Sequence, residues 1–391
     1  MKILLVRNTP YDSNLKGYNI QEVGIGRAFC RLGYNYDHVC FKKRNQQEWV
    51  FYESNGCKAR FIEKPRIRFM RWGINTALLD DEFLSQYDLI ITREHYQLMS
   101  YLYARKAKNR VAMYNGPYYN MFLLKWFSPI YDALVTKRMD KWIRCKFVKS
   151  VLAKDFLEGK GYHNVINVGV GLDTERFDNE SEIKPETIEL IDYMIKNRCI
   201  LYVGALSERK NYPFLLNVYQ KVLEAEPDVK FVMIGKSVIG AFAKVMGKKN
   251  EDYAKEYDKG LSENVQKGIL HIKSIENPQL KYIYPLAKAF LLPSKLEIFG
   301  MVLLEAMYLG APVVTSMNGG SMTLIGDNGP GIVIREFDVN KWADATLKYL
   351  RDEDYSKKIV IDAQKLVKEK YNWNIIVKEM IDNLKKNGYE I

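Results

Sequence analysis

The stretch Ser294-Lys-Leu-Glu297-Ile-Phe-Gly300-Met-Val-Leu-Leu-Glu305-Ala-Met-Tyr-Leu-Gly310-Ala311 reads as a short loop running into a helix over 301–309. Gly310 followed by Pro312 is a stop signal for that helix. Met301, Val302, Leu303, Leu304, Ala306, Met307 and Leu309 make it apolar nearly all round, as in a buried helix. Glu305 in its middle is then costly unless something specific pairs with it. Glu297 stands just before the first turn, where backbone N–H groups point outward and attract anions. Amides for a phosphate, and carboxylates accepting from hydroxyls, suit a molecule that carries both groups.

Working outward, short apolar runs alternate with helical stretches. Candidate strands in the first half lie at 2–6, 37–41, 87–92 and 110–114, with a helix ending near Gly33. In the second half they lie at 199–203, 229–234, 269–273, 289–292, 312–315 and 331–334, after a polar helix over 184–196. This alternation predicts parallel, doubly wound sheets. A last helix is expected over 373–386. The Lys-, Gly- and Tyr-rich stretch 237–264 reads as a loop or a helical insertion.

Pro293 through Gly320 resembles the signature of retaining glycosyltransferases of the GT-B fold and GT4 type, in which two Glu are separated by seven residues. The resemblance extends more weakly over most of the chain. It implies an α/β GT-B fold: two Rossmann-like doubly wound domains facing a central cleft, with a C-terminal helix crossing back to the first. The expected N-terminal, acceptor-binding domain is 1–180 plus about 374–391, and the nucleotide-sugar-binding domain is 181–373. Gly169-Val170-Gly171-Leu172-Asp173, with Phe177 four residues on, resembles the stretch that closes the first domain.

The resemblance also implies roles. The backbone at Phe299-Gly300-Met301 would cradle the donor phosphates, Glu297 would reach the sugar hydroxyls, and Glu305 would accept from the ribose. Lys210 matches the family's phosphate-binding Lys. Ala205 stands where an Arg is usual, which makes Arg209 the expected substitute. Gly204 opens that turn, Gly235 resembles the position lining the base pocket, and Gly319-Gly320 fits a loop that lets backbone approach the ligand. Gly17 takes the place of the family's first glycine loop. Asn115 falls where many relatives carry a histidine; it can donate a hydrogen bond but exchanges no proton at neutral pH. His95 is a further residue that could enter the cleft, or simply pack. Gly24-Ile25-Gly26 is not a dinucleotide fingerprint, because Phe29 replaces its third glycine.

The activity implied is metal-independent transfer of a sugar from a UDP- or GDP-linked donor, with no cofactor beyond that co-substrate. The implied acceptor is a lipid-linked saccharide in cell-surface polysaccharide or glycolipid synthesis. Ala205 and Asn115 motivate an alternative, a sugar-nucleotide-binding pseudoenzyme without turnover.

At 391 residues the chain has room for two cores. Five cysteines without paired or metal-ligand spacing suggest reduced thiols and a cytoplasmic setting. The start at Met1 reads as a strand rather than a signal peptide, and no apolar run approaches the roughly 20 residues of a membrane span. A net charge of +12 predicts attraction to polyanions. No recognised nucleic-acid motif accompanies it, so nucleic acid is not the expected partner. Two stretches, 42–72 and 121–149, mix Lys and Arg with Phe and Trp. They suggest peripheral docking on an anionic membrane surface, at its inner face.

Overall fold

The computed structural model describes residues 1–8, 20–41, 47–180, 182–239 and 250–391, excepting the side chains of 250–252. The chain forms two compact units, Met1–Asp173 with Lys370–Ile391, and Thr174–Glu369.

In the first unit the described strands are β1 (Lys2–Val6), β2 (Asn35–Phe41), β3 (Glu48–Ser54), β4 (Cys57–Lys64), β5 (Ile67–Phe69), β6 (Trp72–Ile74), β7 (Leu89–Arg93), β8 (Val111–Asn115), β9 (Lys146–Val148) and β10 (Val165–Asn167). Eight of them form one sheet in the order β10-β9-β8-β7-β1-β2-β4-β3. Its pairings are parallel except at the edge, where β3 runs antiparallel to β4. The β3–β4 pair answers to no expected strand; its charged and aromatic residues read as a basic surface instead. β5 and β6 make a separate small hairpin. Leu4, Val6, Ile90, Met113, Val148 and their neighbours pack as one apolar core. The central strands are buried on both faces, which is why they read as continuous apolar runs.

The C-terminal segment closes this unit. Leu172 N–H donates to the Tyr371 carbonyl at 2.7 Å. Trp373 opens the helix Trp373–Lys386 and packs on Gly24 and Gly171, where a Cβ would lie 2.0 Å and 2.7 Å from its ring. At the far end the Tyr389 hydroxyl donates to the Val111 carbonyl at 2.6 Å and accepts from the Arg144 and Cys145 amides.

The second unit holds β11 (Cys199–Val203), β12 (Lys230–Ile234), β13 (Ile269–Ile272), β14 (Ala289–Leu292), β15 (Val313–Ser316) and β16 (Ile332–Ile334). They form one parallel sheet in the order β13-β12-β11-β14-β15-β16. The strand order reverses between β11 and β14, the place where such sheets bind ligands beyond their C-terminal ends. Phe177 belongs to this unit, tilted against Tyr308 at 6.3 Å, rather than closing the first as its motif implied. The described residues within 237–264 include the helix Asn250–Asp258 and the start of the helix Glu263–Gly268. The helix Met301–Leu309 starts at Gly300 (φ 82°) and stops at Gly310 (φ 92°), whose N–H bonds the Ala306 carbonyl. Both glycines hold left-handed backbone that a larger residue would strain.

Candidate functional site

Two loops of the second unit leave the sheet at its switch point, 204–211 after β11 and 293–300 after β14. They are joined first by backbone, since Lys295 N–H donates to the Arg209 carbonyl at 2.9 Å. Their side chains then meet at one carboxylate. Glu297 Oε2 accepts from Lys210 Nζ at 2.6 Å and from Arg209 Nη1 at 2.9 Å. Arg209 Nη1 also reaches the Leu296 carbonyl at 2.9 Å. Burial pushes the Glu297 carboxyl upward, but the charges and hydrogen bonds of Lys210 and Arg209 outweigh it and hold the group below the usual carboxylate range. Lys210 is nearly buried, whereas Arg209 is exposed.

Glycine lets backbone approach backbone here. Gly235 follows β12, and a Cβ on it would lie 1.8 Å from the Gly204 carbonyl oxygen. On Gly320 a Cβ would lie 1.6 Å from the Phe299 carbonyl oxygen. The start of the helix Gly319–Leu324 is thereby held against the loop that leads into Met301–Leu309. Buried Asn318 fixes that start, accepting from Ser321 N–H while Ser321 Oγ accepts from Asn318 N–H. Phe299, Gly300 and Met301 thus sit beside Glu297 at the positive end of a nine-residue helix.

Glu305 lies deeper. It is wholly buried, and its charge adds to burial in pushing the Tyr284 hydroxyl well above its ordinary pKa. Next to Gly235 a cavity of about 560 Å³ opens, lined by Lys236, Ser237, Val238, Lys255, His271 and Lys273 among others. His271 Nε2 lies 2.8 Å from the Gly235 carbonyl. The fold thus brings Glu297, Lys210, Arg209, Phe299, Gly300, Met301, Gly319 and Gly320 together, with Gly204 and Gly235 flanking them. Among the described residues no group of three or more His, Cys, Asp or Glu is arranged to hold a metal ion.

The first-unit residues stand differently. Gly17 lies outside the described residues. Asn115 is buried at the end of β8 with both ends of its amide engaged: Nδ2 donates to the Pro117 carbonyl at 3.0 Å, and Oδ1 accepts from His95 N–H at 3.2 Å. His95 Nδ1 lies 3.0 Å from the same oxygen. Burial pushes the His95 pKa down to about 4, against the Asn115 bond, so the ring is neutral at pH 7. Ring contacts with Tyr96, Phe156 and Tyr162 complete a packing role.

Sequence reading missed a buried charged cluster at the strand ends of this unit. Arg93 pairs with Glu22, and Lys149 Nζ donates to Gln21 Oε1 at 2.9 Å. Burial, then the charge of Arg93, pushes Lys149 down to about 7. The one legible signal was Arg93 directly after an apolar strand; Glu22 and Lys149 look like ordinary surface charges until the sheet is assembled.

Residues 194–366, which lie inside the second unit, match the family described as glycosyl transferases group 1. This part of the chain is similar to the group 1 glycosyltransferases. An uncharacterized glycosyltransferase of Methanocaldococcus jannaschii is 31% identical over 185 residues, which is 47% of this chain and 44% of that one. A D-inositol 3-phosphate glycosyltransferase of Corynebacterium urealyticum is 26% identical over 232 residues, 58% of this chain and 53% of that one. The chain thus spans about half the length of these relatives. Beyond the matched residues, the likeness to a solved structure extends over both units. HepE of Anabaena, crystallised with UDP and glucose, superposes with a TM-score of 0.65 at 16% identity, over 99% of this chain and 100% of that one. The fold is GT-B.

Proposed function

We propose that the protein transfers a sugar, with retention and without a metal, from a UDP- or GDP-linked donor to a saccharide carried on a lipid, in polysaccharide or glycolipid synthesis at the cytoplasmic face of a membrane. The observation that carries this reading is the Glu297–Lys210–Arg209 constellation, set at the switch point of the sheet and beside the start of the helix Met301–Leu309. The group 1 match supports the reaction class.

Glycosyl transfer must stabilise a departing diphosphate, and fixed cations with a helix N-terminus can supply that charge. In the structure both cations pair with Glu297, which leaves one positive charge in excess. A diphosphate seated against Gly300 and Met301 competes for Lys210 and Arg209, and releases Glu297 to accept from sugar hydroxyls. The cavity beside Gly235 would take the base, and Glu305 the ribose. On the acceptor side, Lys149 and Arg93 lie where a parallel sheet offers its strand ends to ligands. The leaving phosphate itself takes the acceptor proton, so Asn115 need not exchange one.

A thermal-shift series with UDP, GDP and their sugars tests the donor site, since a ligand bound to the native state raises Tm by linkage. One nucleotide series is expected to stabilise the protein, and Lys210→Ala or Glu305→Ala to abolish the effect. An unchanged shift in both variants removes the site assignment. Stabilisation without hydrolysis or transfer of the donor across a panel of acceptors would favour the pseudoenzyme, for which Ala205 is the motivating residue.

A further inference from the structure

Of the two basic, aromatic stretches, much proves to be interior. Lys42, Lys43 and Arg44 lie outside the described residues. Arg60 pairs with Asp37 and Glu48 inside the β3–β4 edge, and Phe61 is buried. Lys146 is buried against Asp140, and Lys149 belongs to the internal cluster. What remains outside is the β5–β6 hairpin with the segment 121–141, and the fold makes these a single surface. Arg71 Nη1 donates to the Met121 carbonyl at 2.9 Å, and Trp72 Nε1 to the Tyr96 carbonyl at 2.8 Å. Beneath both, Tyr96, Phe122 and Tyr131 form a small aromatic core that Trp72, Met121 and Phe127 border.

On its outer side this platform exposes large apolar groups: Ile67 is 72% exposed, Leu123 58% and Trp126 65%, with Phe69, Met70 and Leu124 also exposed. Along the helical run that follows, Ile130 and Leu134 continue the apolar face at i, i+4 spacing, and Lys137, Arg138 and Lys141 extend it. Arg68 and Lys125 stand among the apolar groups. Residues 64–79 and 117–131 contain no acidic residue. Asp132, the first to follow, is tied to Lys160. Scattered exposed apolar residues need no explanation, but contiguous ones do. Apolar groups led by an exposed Trp and ringed by cations, with Asp132 and Asp140 held by Lys160 and Lys146, match a membrane interface: side chains enter the acyl boundary while Lys and Arg meet anionic headgroups.

We propose that this face of the first unit is a docking surface for an anionic lipid bilayer, with Ile67, Phe69, Leu123, Leu124 and Trp126 inserting and Arg68, Lys125, Lys137 and Arg138 holding headgroups. The proposal does not depend on the donor site, and nucleotide-dependent thermal shifts in lipid-free buffer report on that site separately.

The test is co-sedimentation of the full chain with vesicles of neutral phosphatidylcholine, alone or mixed with phosphatidylglycerol. Binding is expected to be at least tenfold tighter to the anionic vesicles and to weaken with salt. Arg68→Glu with Lys125→Glu should lower it by more than tenfold, since each cation near such a surface contributes about fivefold. Leu123→Ser with Leu124→Ser, at exposed positions where folding is not at stake, should also lower it at least tenfold while the melting profile stays unchanged. A Trp126→Phe variant should lose most of the blue shift in tryptophan emission that vesicles induce. Equal, weak binding to both vesicle types overturns the proposal. So does binding that the charge variants abolish and the apolar variants leave intact, which describes a site for soluble polyanions. A concentration-dependent dimer that Leu123→Ser with Leu124→Ser dissociates, with no vesicle binding, would assign the face to a second copy of the chain.

Discussion

At the scale of single residues, Glu297 is the carboxylate on which Lys210 and Arg209 meet, and its charge state can be followed through stability. Its carboxyl is held below the ordinary value in the folded state, so it contributes stability in full above the unfolded pKa of about 4.3. That contribution fades as pH falls through the folded pKa. Glu297→Gln leaves Lys210 nearly buried without its counter-charge, at a cost of about 2–3 kcal/mol at pH 7. In urea unfolding the gap between wild type and variant should hold from pH 7 to about 5 and narrow below about 4. A gap that does not change with pH would mean the carboxylate is not charge-paired. Glu297, Lys210 and Arg209 were legible in the sequence because they are tied to local turns of fixed type. The Glu22–Arg93–Lys149 cluster was not, because its members come from distant segments and only strand order brings them together. Asn115 was legible as a departure, but its work is internal: its amide is spent on His95 and Pro117.

The second unit's strands and its apolar helix were readable as elements because parallel strands buried on both faces leave unbroken apolar runs. The β3–β4 pair was hidden for the opposite reason. It stands at a half-exposed edge, where β3 mixes Glu with Trp, Phe and Tyr, β4 carries Lys58, Arg60 and Lys64, and Arg60 reaches across to Asp37. The glycine contacts matter at this scale because they fix how closely two elements approach. In Gly320→Ala the new methyl cannot share space with the Phe299 carbonyl, so the helix Gly319–Leu324 must retreat from the loop. A cost of about 1–3 kcal/mol is expected, with loss of nucleotide stabilisation out of proportion to the loss of Tm. Calorimetry with and without nucleotide separates the two effects. An Ala variant with full nucleotide stabilisation would show that this approach is not used for binding.

At the scale of the whole molecule, the division runs between Asp173 and Thr174 and again between Glu369 and Lys370, rather than at 180 and 373. The Gly169–Asp173 stretch marks the first of these points in the sequence, whereas the chain crosses the second without a Pro- or Gly-rich linker. Trp373 carries much of the closure: it is buried against Gly24 and Gly171. Trp373→Ala should cost about 3–5 kcal/mol, felt by the first unit. In a calorimetric trace the first unit's transition should fall while the second's stays in place; an equal fall in both would show that they unfold as one. The same return segment has a consequence for the order in which the protein is made. The first unit's sheet starts at Lys2 yet lacks Trp373 and Tyr389 until they are translated, whereas everything the second unit needs has been translated by Glu369. On a ribosome adding about 5–20 residues per second, the half that starts second can therefore finish folding first. The N-terminal sheet must wait, with the floor under Gly24 and Gly171 open, for the segment Lys370–Ile391.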